Sequence, residues 1–61
     1  MQTAKGKVLI LNADDVMLFT SKMALQSAYQ AVVTESQPRK LASILEKDQF
    51  QVIVLDLNFS F

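Results

Sequence analysis

The chain has 61 residues, of which 51% are hydrophobic, and its six basic and six acidic residues give a formal net charge of +0. A chain of this length forms at most one small domain of marginal independent stability, so a single domain over residues 1–61 is expected. The balanced charge argues against a broad surface for nucleic acid or for anionic membranes. Cysteine and histidine are absent from the sequence, which excludes a disulfide framework and a thiolate or imidazole zinc site. No apolar run approaches the roughly 20 residues of a membrane helix, and the opening MQTAKGK lacks the apolar stretch of a signal peptide, so a soluble cytoplasmic protein is expected.

Three short apolar runs predict β-strands. Residues 7–12 form a run of leucine and β-branched residues, residues 30–35 contain a second run, and residues 51–57 have a continuous apolar centre. Such runs, separated by helical patterns, indicate a parallel sheet that is covered on both faces. The expected fold class is therefore α/β, with the element order βαβαβ.

Two helices are predicted between these strands. Residues 14–29 contain no glycine or proline, and the acidic Asp14 and Asp15 near their start complement the helix dipole. Pro38 stands where the second helix would begin, a position that tolerates its missing N–H. The apolar stripe of this second helix follows the i, i+3, i+4 pattern and consists of Leu41, Ile44 and Leu45.

The first helix has more apolar surface than one sheet needs. Its predicted sheet-facing side consists of Met17, Leu18, Ser21, Ala24, Leu25 and Ala28. Val16, Phe19 and Met23 then point elsewhere and form a second apolar patch. Either another part of a larger domain covers this patch, or it is a surface for a partner.

Polar residues follow the ends of all three predicted strands. Right-handed crossovers bring the carboxyl ends of parallel strands to one edge, where ligands of open α/β sheets bind. This edge is expected to hold Asn12, Ala13, Asp14, Asp15, Glu35 and Asp56. Asp56 ends an apolar strand, where it either caps the next turn or serves as a cation ligand or a nucleophile toward phosphorus. For Asp14 and Asp15, helix capping is favoured over metal binding.

With these segments placed, the sequence resembles the first half of a response-regulator receiver domain. The segments that carry the resemblance are KVLILNADD, AVVTES, ILEKDQF and VIVLDLN, in this order. The ending VLDLNFSF is similar to receivers of NtrC-type regulators. The resemblance implies a flavodoxin-like (CheY-like) half-domain with three parallel strands in the order 2-1-3. It also implies a function in two-component phosphorelay signalling without enzymatic turnover of a substrate: a sensor histidine kinase passes a phosphoryl group to Asp56, with Mg²⁺ as cofactor.

The family's metal-binding residues are only partly present. By position, Asp56 and Asn58 match the acceptor and the carbonyl ligand for Mg²⁺, whereas Asn12 and Ala13 stand where the family has a pair of acids. Asn12 still offers an oxygen and Asp14 lies two positions later, so both are retained as weak metal-ligand candidates. Weak Mg²⁺ binding is therefore expected.

Receivers are roughly twice as long as this chain, so a half-domain is expected, with the third strand as a bare apolar edge. Such edges pair with other chains, which predicts a homodimer joined along residues 51–57, from Gln51 to Leu57. Two other functions stay open at this point. One is a pseudo-receiver that acts as a protein-interaction module independent of phosphorylation, and the other is an unrelated small α/β enzyme that uses Asp14, Asp15 and Asp56 for metal-assisted hydrolysis.

Overall fold

The structure, a computed structural model, describes residues 5–56. Three parallel strands form one sheet in the order β2-β1-β3, with helices between them. In chain order the elements are β1 (Lys5–Leu11), α1 (Asp15–Leu25), β2 (Tyr29–Glu35), a 3₁₀ turn (Pro38–Lys40), α2 (Leu41–Lys47) and β3 (Val52–Leu55). The predicted α/β class, the three parallel strands and their order 2-1-3 are confirmed.

The central strand β1 supplies most of the core. Val8 and Ile10 face one side of the sheet, where they pack with Leu18 of α1. Leu9 and Leu11 face the other side, where Leu41 and Ile44 of α2 pack against them. The two helices therefore cover opposite faces, and β1 reads as a continuous apolar run because both of its faces are buried.

The first helix is shorter than predicted. The sequence predicted a helix over residues 14–29, but α1 ends at Leu25, where a turn closed by Ala28 N–H donating to the Leu25 carbonyl (3.0 Å) begins. Tyr29 is already in β2, paired in register with Lys5, so strand pairing replaces the last helical turn. Leu18 and Leu25 pack on the sheet as predicted.

Three residues assigned to the sheet-facing side of α1 are exposed instead, namely Met17, Ala24 and Ala28. Met17 lies at the helix start beside the carboxyl edge of the sheet, and Ala28 lies beyond the helix end. The sheet-facing side of α1 is thus a narrow stripe centred on Leu18 and Leu25.

The second helix begins as a 3₁₀ turn. Pro38 occupies the first position of that turn, as predicted, and α2 proper starts at Leu41. Leu41 and Ile44 contact the core, but Leu45 is 44% exposed because it lies outside the strip of α2 that touches β1. The prediction for Leu45 was wrong.

The third strand is an edge strand with exposed side chains. All four residues of β3 are apolar, and their exposed fractions are 37% for Val52, 47% for Ile53, 40% for Val54 and 45% for Leu55. The strand is shorter than the predicted 51–57: Gln51 precedes it, although its N–H donates to the Lys7 carbonyl (2.9 Å), and Leu57 lies outside the described residues. Within residues 5–56, neither helix is long and apolar enough to cross a membrane.

Candidate functional site

The carboxyl ends of β1 and β3 border an open cleft of about 410 Å³. Among residues 5–56, those that line it are Asn12, Ala13, Asp14, Met17 and Asp56. Parallel pairing produces this arrangement, because Leu11 and Leu55 are in register and the chain leaves both strands at the same edge. Three of the predicted site residues, Asn12, Asp14 and Asp56, are therefore brought together.

Asp56 is held at the cleft by its backbone. Its N–H donates to the carbonyl of Leu11 at 3.0 Å, which continues the pairing of β3 with β1 one residue beyond the strand. The residue is partly buried. The backbone of Asp56 is thus fixed beside the end of the central strand, and the residue lines the cleft.

Asn12 and Asp14 form a chain of hydrogen bonds at the start of α1. The Asn12 N–H donates to the Glu35 carbonyl (3.3 Å), and Asn12 Oδ1 accepts from the Asp14 N–H (2.9 Å). Asp14 Oδ1 in turn accepts from the N–H groups of Val16 (2.9 Å) and Met17 (3.4 Å), which makes Asp14 the N-cap of α1. The capping interpretation of Asp14 is confirmed, and Asp15 lies in the acidic first turn as the dipole argument predicted.

Glu35 does not join the cleft. Its Oε2 accepts from the N–H groups of Ser36 (3.1 Å) and Gln37 (2.9 Å) and so closes the turn that follows β2. The backbone of Glu35 therefore lies at the carboxyl edge as predicted, but its carboxylate does not line the cleft.

Some of the oxygen atoms predicted to bind Mg²⁺ are already engaged in hydrogen bonds within the described residues. Among residues 5–56, no group of three acidic side chains is arranged to hold a metal. Asn12 is neutral and its Oδ1 is engaged with the Asp14 N–H, while Asp14 Oδ1 is engaged with α1. Mg²⁺ prefers carboxylate oxygens in near-octahedral geometry, and Asp56 alone does not provide that set. Asn58, the remaining predicted ligand, lies outside the described residues.

A second depression, of about 600 Å³, lies at the opposite, amino end of the strands. There Lys7 Nζ and Asp48 Oδ1 form a salt bridge of 2.6 Å, which joins β1 to the end of α2. The hydrogen bond from Lys7 lowers the pKa of the Asp48 carboxyl below its ordinary value of 3.8, and a bond from the Gln49 N–H acts in the same direction. Sequence reasoning missed this pair, since 41 positions separate the two residues and no local pattern joins them.

Although this depression is larger, Lys7, Asp48 and Gln51, which line it, are engaged in contacts that hold the fold together. Gln51 Oε1 accepts from the Lys7 N–H at 2.6 Å, beside the Lys7–Asp48 bridge. These contacts tether α2 and β3 to β1. The carboxyl edge, where a strand-end carboxylate borders a cleft, is accordingly the better candidate site.

Comparisons of the sequence with protein-family models and with curated proteins, and of the fold with solved structures, gave no match.

Proposed function

We propose that this chain is a receiver-type signalling segment in which Asp56 accepts a phosphoryl group from a sensor histidine kinase in the cytoplasm. One observation carries the proposal: Asp56 follows β3 and shares a cleft with Asn12 and Asp14 at the carboxyl edge of a parallel 2-1-3 sheet. Open parallel sheets bind ligands at this edge, and a carboxylate there is a competent nucleophile toward phosphorus. The strand order and the place of Asp56 are those that the resemblance to receivers implies.

The proposed chemistry is one phosphoryl transfer. A carboxylate oxygen of Asp56 attacks the phosphorus of a phosphohistidine, an O–P bond forms and the P–N bond breaks. The imidazole leaves with the bonding electron pair and takes up a proton, and Asp56 becomes an acyl phosphate.

Phosphorylation would change the electrostatics of the cleft. A phosphoryl group brings additional negative charge and strong acceptor oxygens. Asp14, the cap of α1, lines the same cleft, so the added charge repels the carboxylate that holds the first turn of the helix. In this proposal, the start of α1 is the element that responds to phosphorylation of Asp56.

The test is a small-molecule phosphodonor, acetyl phosphate, added to the purified chain with and without Mg²⁺ and followed by intact-mass spectrometry. The expected result is the addition of one phosphoryl group, which hydroxylamine removes because it cleaves acyl phosphates. Asp56→Asn is expected to abolish the addition. Asp15→Asn is the matched control, because Asp15 is an exposed acid near the cleft that does not line it. Absence of hydroxylamine-sensitive phosphorylation, or its persistence in Asp56→Asn, contradicts the proposal.

A second candidate function is a phosphorylation-independent interaction module of the pseudo-receiver kind. The specific observation in its favour is β3, an uncharged apolar edge strand whose four side chains are all exposed. Exposed strand edges pair with other chains, and a homodimer joined along residues 51–57 would cover this one. The neutral Asn12 and Ala13 at the end of β1 agree with lost metal chemistry. Self-association that is unchanged by Asp56→Asn would favour this function over the phosphoryl switch.

A further inference from the structure

The outer face of α1 carries an apolar stripe. Val16 is 70% exposed, Phe19 is 65% exposed and Met23 is 54% exposed. Their spacing of three and then four residues places them along one side of the helix, as at the a and d positions of a heptad. Leu18 and Leu25 lie on the opposite side and pack toward the sheet, so the stripe is additional to the surface that the fold uses.

Two opposite charges flank this stripe on the same side. At about 100° per residue, Asp15 and Lys22 are seven positions apart and fall within about 20° of each other around the helix. Both are exposed, with Asp15 in the first turn of α1 and Lys22 in the last. The other flank of the stripe holds Thr20 and Ala24, which carry no charge.

We propose that the outer face of α1 binds the same face of a second copy of this chain, with the two helices antiparallel. A two-fold axis perpendicular to two antiparallel helices keeps the same flank of each on the same side and exchanges their ends. Asp15 of each copy then meets Lys22 of the partner, which gives two symmetric ion pairs. A parallel pairing in register would instead set equivalent charges at the same level.

The geometry places the apolar stripe correctly for this pairing. The midpoint between positions 15 and 22 lies within one residue of Phe19, so the same two-fold axis that pairs the charges passes beside the largest side chain of the stripe. Phe19 of one copy packs beside Phe19 of the other, with Val16 and Met23 on either side. Burial of exposed apolar side chains supplies the attraction, and the charges select the antiparallel orientation.

This surface is separate from the β3 edge and from Asp56. The stripe lies on the outer side of a helix that covers one face of the sheet, whereas β3 lies at the edge of the sheet. The inference therefore goes beyond the proposed function and depends neither on phosphorylation nor on strand pairing.

A charge-swap experiment tests it. Donor-labelled and acceptor-labelled samples of the chain are mixed at low ionic strength, and energy transfer reports the affinity between the two samples. In a dimer of Asp15→Lys, or of Lys22→Asp, positions 15 and 22 carry the same charge, so both symmetric ion pairs become repulsive contacts. Each single variant is therefore expected to bind itself about tenfold more weakly than the original chain. A mixture of the two single variants regains both ion pairs and is expected to recover the original affinity, as is the double variant D15K/K22D. Glu46→Lys, which makes the same charge change on exposed α2, is the control and leaves the affinity unchanged.

The pattern separates this contact from other causes. Association through β3 responds only to the net charge of the chain, so Glu46→Lys, which has the same net charge as Asp15→Lys, would then weaken self-association equally. A weaker helix dipole penalises the double variant most, whereas the proposal expects that variant to recover. No gain in the mixture of the two single variants over either variant alone overturns the proposal, and so does an unchanged affinity in Phe19→Ser with its far-UV circular dichroism intact.

Discussion

Replacement of Asp14 by alanine removes the N-cap of α1 and tests whether this carboxylate is a cap or a ligand. Its Oδ1 accepts hydrogen bonds from the N–H groups of Val16 and Met17, at 2.9 and 3.4 Å. Alanine leaves both groups to water. Asparagine keeps an oxygen acceptor but removes the negative charge, so the two variants separate capping from charge-dependent metal binding.

The expected cost follows from the capping geometry. Loss of a capping side chain costs about 1 kcal/mol, within a range of about 0.5–2 kcal/mol. The hydrogen bond from the Val16 N–H has a near-ideal length of 2.9 Å and that from the Met17 N–H is long at 3.4 Å, so a cost near the middle of this range is expected. In a chain of this size, about 1 kcal/mol lowers Tm by roughly 4–8 °C. The loss spreads beyond the first turn, because α1 carries Leu18 into the core.

Thermal unfolding followed by far-UV circular dichroism, at one fixed protein concentration, measures this cost. Fixed concentration matters because self-association shifts the apparent stability. The Tm is expected to fall in Asp14→Ala. In Asp14→Asn the decrease in Tm is expected to be at most about a third as large, since Asn and Asp are similar caps. An unchanged Tm in Asp14→Ala, or equal losses in both variants, would refute the capping argument.

Two further predictions concern the edge strand and the amino-end salt bridge. Val54→Lys places a charge on exposed β3 and is expected to weaken β3-mediated dimerisation at least tenfold in sedimentation equilibrium. Thr34→Lys, which places the same charge on β2, is the control and is expected to leave dimerisation unchanged. An equal effect of both changes would contradict dimerisation through the β3 edge. Because the pKa of Asp48 is depressed in the folded chain, its stabilising contribution is fully present above the ordinary value of 3.8 and is lost as the pH falls through the lower folded value. Asp48→Asn is therefore expected to flatten the acid side of the stability profile in urea melts, and a profile as steep as that of the original chain would show that the bridge to Lys7 contributes nothing.

Local patterns account for the elements that the sequence predicted well. The strand β1 has a continuous apolar run because it is buried on both faces, and the position of Pro38 marks the start of the 3₁₀ turn that leads into α2. The capping role of Asp14 was also visible, since an acid before a helix start has a local partner a few residues away. Each of these signals lies within one element.

The errors arose where partners are distant in sequence. Tyr29 has no helix-breaking neighbour, but its pairing with Lys5 in β1 ends the helical segment earlier than its composition indicates. The Glu35 carboxylate turns toward the backbone of its own loop and away from the cleft. Leu45 continues the apolar stripe of α2, but only Leu41 and Ile44 of that stripe pack against β1.

The sequence by itself determined the α/β class, the order of the elements and the acids that stand at the carboxyl edge, because periodicity and strand-end polarity are local properties. Tertiary structure alone decided which of those acids share a cleft, that Lys7 reaches Asp48, and that β3 and the outer face of α1 stay exposed. Those features depend on strand register and on which surfaces the two helices cover. They are fixed by packing between segments far apart in the chain, which no window of neighbouring residues records.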